Sequence, residues 1–305
     1  MIPAPQVSVV MPVYNGELFL RESIESILNQ TLPDFEFIII CDPSTDNSLS
    51  LVQSYNDSRI ILINNENRLG IARCLNLGLE TARGKYVVRM DADDISLPER
   101  LATQVAFMES HLEVGVCGSW LKIIGFEGGW IRELPVDHDT LKCILVFGCL
   151  IAHPTVIMRR DLLIKYSLFY NPAFTYAEDY DLWSRCARYF HLANQSQVVY
   201  LYRHHADQAS RVFKEQERFS GLVMFEELQH LGVDISDEEF ELHKEISVWR
   251  IQPNKSFADQ TRQWLYKLME ANSRTHYYPE PCFSDMIKKR WITICEKWRF
   301  DEPEL

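Results

Sequence analysis

Apolar residues in the first ninety positions fall into two rhythms. Short runs dominated by aliphatic and aromatic side chains at 7–11, 35–40, 60–63 and 86–90 predict buried strands. Between the first two, Leu20, Ile24, Ile27 and Leu28 recur at helical spacing and predict an amphipathic helix over 17–30; a second is expected over 71–82. Pro12 is expected to stop the first strand, Asn15-Gly16 to turn the chain, and Pro33-Asp34 and Gly84 to end the two helices. Ser44-Thr45-Asp46, with hydroxyl and acid side chains suited to capping, is expected to open another helix. Alternating strand and helix with continuously apolar strands predicts an α/β fold, a parallel sheet covered on both faces. Ligands of such sheets bind beyond the carboxyl ends of the strands. Three polar clusters fall there: Tyr14-Asn15, Asp42, and Asp91 with Asp93 and Asp94.

Later in the chain, 180–189 reads as a helix with Leu182, Trp183 and Cys186 on its inner face, and 198–202 as a strand running into His204-His205. Helices are expected at 223–231, 237–251, 258–271 and 285–300. A length of 305 residues fits about two domains. Lys and Arg number 31 against 43 Asp and Glu, a formal net charge of −12, which argues against a nucleic-acid partner while leaving a small phosphorylated ligand open. The longest uncharged apolar stretch, 144–152, is about half the ~20 residues of a spanning helix. With no basic leader before it, the protein is expected to be cytoplasmic. Eight cysteines without a C-x-x-C pair read as reduced, buried thiols.

Asp91-x-Asp93 after a strand places two carboxylates at a sheet edge, hard oxygen ligands that suit Mg²⁺ or Mn²⁺. Alone, the triplet is a weak signal and reads as a solvated acidic turn or a helix cap. Its neighbours change that. The blocks VSVVMPVYN (7–15), FEFIIICDPSTDN (35–47), NENRLGIARCLNLGLETARG (65–84) and YVVRMDADDISLPERL (86–101) stand in order. His153-Pro154-Thr155, Glu178-Asp179-Tyr180-Asp181-Leu182-Trp183 and Tyr202-Arg203-His204-His205 follow. Together they resemble the family 2 glycosyltransferases over about residues 7–210.

The resemblance implies a GT-A fold: a mostly parallel twisted sheet flanked by helices. Residues 1–210 would form the catalytic domain, with 1–115 its nucleotide-sugar half and 116–210 its acceptor half, and 211–305 a helical C-terminal region. It implies an inverting, metal-dependent transferase using a nucleotide-sugar donor and acting on a glycan or lipid-linked glycan. Donor contacts fall on Pro12, Tyr14, Asp42, Arg68 and the Asp91-Ala92-Asp93 triplet. Asp42, an acceptor for an imide N–H, points to a uridine diphosphate sugar. Asp91, Asp93 and His205 are the implied metal ligands. Asp179 is the implied general base, with Glu178 as the alternative. The usual Asp-Asp-Gly-Ser-Thr-Asp is Cys41-Asp42-Pro43-Ser44-Thr45-Asp46 here, a stiffer loop with one charge fewer. That departure supports a rival reading, a catalytically silent nucleotide-binding module. Asn76 and Gly78 read as helix-packing residues, while Arg89, a charge in an apolar strand, has three open partners: Asp91, Asp94 or the donor. The 285–300 helix carries Lys288, Lys289, Arg290, Lys297 and Arg299 beside Trp291, Ile292, Ile294 and Trp298. It either lies on the inner face of an anionic membrane or docks on the catalytic domain with its basic face in solvent.

Overall fold

Strand and helix alternate through the first ninety residues of the computed structural model, which describes residues 4–126, 128–205 and 213–298. The order is β1 (Val7–Val13), α1 (Glu17–Leu28), β2 (Phe35–Cys41), α2 (Ser48–Gln53), β3 (Ile60–Asn64), α3 (Ile71–Thr81) and β4 (Tyr86–Arg89). Next come β5 (Ile95–Ser96), α4 (Arg100–Ser110), β6 (Val114–Gly125), β7 (Ile131–Arg132), α5 (His138–Ile144), β8 (Ile157–Arg159), α6 (Arg160–Lys165), α7 (Glu178–Cys186) and β9 (His191–His204). The C-terminal helices are α8 (Phe213–His230), α9 (Asp237–Ser247), α10 (Lys255–Thr275) and α11 (Cys282–Trp298). The expected boundary at 210 and the last residues of the 285–300 helix lie outside the described residues.

The strands form one sheet in the order β3-β2-β1-β4-β8-β6-β9-β5, with β7 paired to β6. Its first four strands are parallel, as expected; β8 runs antiparallel to β4 and β6, and β9 is parallel to β6. The strand order reverses at β1, so the carboxyl ends of β1 and β4 flank a switch point, the usual ligand crevice of such sheets. Strand periodicity sorts the core. Val10, Ile38 and Ile40 face α3, α6 and α7, whereas Val9, Met11, Phe37 and Ile39 face α1, α2 and α4.

Two boundaries differ from expectation because of partners distant in sequence. β1 continues through Pro12 to Val13. The Val10 carbonyl accepts from Met90 N–H, so Pro12, two residues on, faces the same side, where β4 has already ended and no N–H is needed. α2 begins only at Ser48, because Ser44 and Thr45 are bonded to the β1–α1 turn; Asp46 bonds that turn with one oxygen and the Ser48 N–H with the other. Gly78 is required by close packing: a Cβ there would lie 2.3 Å from a Val10 methyl.

α8–α11 bury their own cluster around Trp264, Leu265, Phe283 and Trp291, which reaches the sheet-bearing part of the chain through Cys143, Val146 and Phe147 in and just after α5. Of the two fates open to the last helix, docking is the observed one for its apolar face. Trp291 and Ile294 are buried, and Arg290 lies 3.9 Å over the Phe147 ring and donates to the Ile246 carbonyl. Lys288, Lys289 and Ile292 remain exposed. Among the described residues, no helix is long and apolar enough to cross a membrane.

Candidate active site

The loops after β1 and β2 are laced together by the residues that failed to extend α2. Asn15, at φ 48°, donates its N–H to Ser44 Oγ (3.0 Å) and accepts from Thr45 N–H (2.9 Å). Glu17 N–H bonds Asp46 (2.9 Å), and Glu17 accepts from the backbone and side chain of Asn47 (3.0 and 2.7 Å). Asp42 lies directly behind. Its carboxylate accepts from Asn65 Nδ2 and Gly70 N–H, both at 2.9 Å, from Leu69 N–H, and from the Cys74 thiol at 3.3 Å. Burial opposes its charge, but these donors outweigh burial and hold its pKa below the usual carboxylate range. Asp42 therefore fixes the 65–70 loop, and in this structure its oxygens are engaged by the protein. Burial, with a smaller push from Asp42, raises the Cys41 thiol to about 11, so Cys41 stands as a neutral replacement for the usual acid. That loop carries Arg68, whose guanidinium sits 3.9 Å over the ring of exposed Tyr14. Pro12 is the last residue but one of β1, two positions before Tyr14.

At the end of β4 the chain gathers three carboxylates. Oxygens of Asp91, Asp93 and Asp94 lie within 4.8 Å of one another. Asp94 is fully buried; one oxygen accepts from Arg203 N–H (2.7 Å) and the other, Oδ2, has no partner. Ala92 is half-buried between the acids, its Cβ 3.5 Å from where a Cβ on Gly16 would stand. His205 Nε2 is 2.8 Å from Asp93 Oδ2, so β9 delivers the histidine directly onto the triplet. Arg89 settles on one of its three open partners: it is buried and pairs with Asp91, two residues along the extended chain and on the same side. Burial raises Asp91 to about 6; Arg89 pulls back and Asp93 adds to the rise. Burial and both neighbouring acids push Asp94 well above the usual range.

Glu178 and Asp179 open α7, where unpaired backbone N–H groups favour a negative charge. Asp179 is half-buried and its Oδ1 accepts from Tyr180 N–H (2.8 Å). Glu178 is 5% exposed, with Oε2 buried and unpartnered. Burial, then the charge of Asp179, raises Glu178 to about 7. Burial also raises Asp179, against the Tyr180 N–H and Arg89. The field of Arg89 thus reaches both acid groups.

Sequence reasoning missed the frame between them. Arg100 is completely buried. It donates to the carbonyls of Arg89 (2.8 Å) and Pro154 (2.9 Å) and to Ser96 Oγ (2.9 Å), tying α4 to the base of the Asp91 loop. Burial lowers it to about 10. His153, left without a role by its motif, is buried with Nε2 3.0 Å from the Tyr170 hydroxyl. Burial and the Arg89 charge hold it well below the usual range, hence neutral. Asn76 exchanges two 2.8 Å bonds with the Tyr170 backbone, fixing the segment that leads into α7.

The pattern of glycosyl transferase family 2 matches residues 8–167. An uncharacterised glycosyltransferase of Haemophilus influenzae is 35% identical over 248 residues, 76% of this chain and 77% of its own length. Escherichia coli WfgD, a UDP-Glc:α-D-GlcNAc-diphosphoundecaprenol β-1,3-glucosyltransferase, is 33% identical over 180 residues, 58% of this chain and 68% of its own. Among solved structures, the mannosyltransferase PcManGT from Pyrobaculum calidifontis, in complex with GDP-Man and Mn²⁺, superposes with a TM-score of 0.59 at 16% identity, covering 99% of this chain and 89% of its own. That likeness is one of fold, and it is the GT-A fold expected from the motifs.

Proposed function

The chain belongs to glycosyl transferase family 2, and from that premise we propose an inverting, metal-dependent transfer of a sugar from a uridine diphosphate donor to an acceptor hydroxyl. The observation that carries the reading is the pairing of two acid groups of different build at one sheet edge: the Asp91, Asp93 and Asp94 cluster, and Glu178 with Asp179.

The first group fits a hard divalent cation. It offers carboxylate oxygens of Asp91, Asp93 and Asp94 within 4.8 Å of one another, hard ligands of the kind such an ion takes. Asp91 and Asp93 would hold Mn²⁺ or Mg²⁺, with His205 beside Asp93. When bound, such an ion neutralises charge on the leaving diphosphate. The chain's own residues do the rest. Arg89 keeps Asp91 charged and oriented. Tyr14, Arg68 and the loop fixed by Asp42 form the nucleotide end; Asp42 serves it by holding Leu69 and Gly70 in place. Asp179 takes the acceptor proton: the Tyr180 N–H fixes one of its oxygens and it stays reachable, whereas Glu178 is sealed behind it. The acceptor oxygen then attacks the anomeric carbon on the face opposite the diphosphate, which inverts the centre.

The relatives support a setting in surface-glycan assembly with a lipid-linked acceptor, since WfgD acts on a diphosphoundecaprenol-linked sugar with UDP-Glc. Calorimetry with UDP, with and without Mn²⁺, followed by metal-dependent hydrolysis of a panel of UDP-sugars, tests the proposal. Tighter UDP binding with Mn²⁺ and turnover of one donor are expected. Binding without turnover of any donor would favour the silent module.

A further inference from the structure

The C-terminal helices meet the catalytic half at one buried carboxylate. Glu227 of α8 is 1% exposed. Its Oε1 accepts from Ser184 Oγ of α7 and lies 3.4 Å from both Arg188 Nη2 and the Tyr277 hydroxyl. Its Oε2 accepts from the Tyr278 hydroxyl at 2.5 Å. Tyr278 is held in turn by Asn272 of α10, which accepts from Tyr278 N–H (2.8 Å) and donates to its carbonyl (3.1 Å). A continuous line of hydrogen bonds therefore runs from α10 through Tyr278 and Glu227 to Ser184, on the helix that opens with Glu178 and Asp179. A second tie ends nearby. The Tyr180 hydroxyl donates to the Leu145 carbonyl, and the next residue, Val146, offers its carbonyl to His243 of α9 at 2.8 Å. His243 accepts from the Trp264 indole at 3.1 Å. Burying a carboxylate is costly unless donors surround it, and here they come from both sides of the junction.

We propose that Glu227 is a positioning residue for the transfer reaction, fixing the rotation and height of α7 and so the place of Asp179 against Asp91 and Asp93. This rests on the base assignment made above. A helix is stiff over five residues, so a shift at Ser184 is carried to Asp179. A misplacement of about 1 Å at a reacting group costs on the order of 100-fold in rate. The C-terminal helices are, in this view, part of the machinery that aims the base.

The test uses the full chain with Ser184→Ala and Glu227→Gln. Ser184→Ala removes only the α7 attachment and leaves Glu227 with Tyr278, Tyr277 and Arg188, so the fold is kept. Three quantities are read: kcat and KM for Mn²⁺-dependent hydrolysis of the UDP-sugar that the panel identifies, UDP affinity by calorimetry, and hydrogen exchange of a peptide spanning 177–187 against one spanning 17–28. For Ser184→Ala the expectation is a kcat loss of roughly 10-fold with KM and UDP affinity unchanged, and faster exchange confined to 177–187. Glu227→Gln, whose amide can still bond both hydroxyls, falls between it and the wild type. Wild-type exchange at 177–187 in both variants overturns the proposal, as does an equal rise in both peptides. A wild-type chain that binds no UDP and hydrolyses no UDP-sugar of the panel removes the functional reading instead, while the exchange measurement still decides whether Glu227 holds α7.

Discussion

The two acid groups at the carboxyl edge of the sheet are built in opposite ways. Asp91 and Asp93 stand among partners of opposite sign or proton-donating capacity: Arg89 is ion-paired to one and His205 touches the other. Glu178 and Asp179 have no such direct ion pair among the described residues; they rest on a helix N-terminus and on the more distant field of Arg89. At the first group direct contact restrains burial without cancelling it: Arg89 pulls back a rise that still takes Asp91 to about 6, and Asp94 is carried well above the usual range of carboxylates. A site meant to move a proton leaves its carboxylates near the point of titration, and burial has brought Glu178 to about 7. The contrast teaches that acidity alone does not assign a role; the neighbours decide it.

The hardest blow to this division is aimed at the base. Asp179→Asn keeps shape and the Tyr180 N–H bond but cannot accept a proton, and should lower kcat by roughly 10²–10⁴-fold with Mn²⁺-dependent UDP binding unchanged. Full turnover in this variant removes the base from α7. Asp93→Ala should do the converse and reach binding itself. It is expected to weaken UDP in the presence of Mn²⁺ by at least about 100-fold, the upper end of what even an outer-shell partner of a metal costs. UDP affinity without metal should scarcely change, because the loss belongs to the cation. Equal losses in both conditions would mean that Asp93 touches the nucleotide rather than an ion.

Protonation sharpens the same contrast. Glu178 has a folded-state pKa raised to about 7, so the folded state binds the proton more tightly than the unfolded chain does. Stability from this group is full below the unfolded value, near 4.3, and is lost as pH rises through about 7. Glu178→Gln should therefore stabilise the protein above pH 7 by on the order of 2 kcal/mol and flatten its thermal stability between pH 5 and 8. It also takes a negative charge from beside Asp179, so the acid limb of kcat/KM should move to lower pH. An unmoved limb together with an unchanged stability profile would show that Glu178 is not protonated in the folded protein.

Much of this was readable before the fold was known, and what was not has a common cause. Apolar runs marked β1 to β4 because buried parallel strands carry few polar residues. Asp91-x-Asp93 and Glu178-Asp179 were visible because each pair is local, and an extended chain places Arg89 and Asp91 on one side. Pro12 misled because its missing N–H costs nothing where β4 has ended, a fact of register rather than of local sequence. Ser44 and Thr45 looked like caps and instead bond a loop some thirty residues away, while Asp46 bonds both that loop and the Ser48 N–H at the start of α2. Nothing in the local sequence singles out Arg100 or Glu227. Each is buried among partners 54 and 51 residues distant, which no periodicity records. The apolar stripe of α11 likewise fits a membrane surface or a protein core equally well until its neighbours are in place.

The smallest expected effect lies outside both acid groups, at the stacked pair of Tyr14 and Arg68. If the division of labour holds, this end of the site touches the nucleotide alone. Tyr14 is 41% exposed, so its ring is available as a platform, and Arg68 adds a positive charge beside the path to the diphosphate. A cation–π contact in such an exposed place is worth about 0.5–1 kcal/mol. Arg68→Ala and Tyr14→Ala should each weaken UDP by roughly 2–5-fold, equally with and without Mn²⁺, and leave kcat at saturating donor and the pH profile untouched. Calorimetry at matched ionic strength reads the first two, since an exposed charge is screened by salt. A loss that appears only with Mn²⁺ would place Arg68 with the cation-holding acids, and a loss in kcat would place the pair at the reacting centre; either result would redraw the boundary between the nucleotide end and the chemistry.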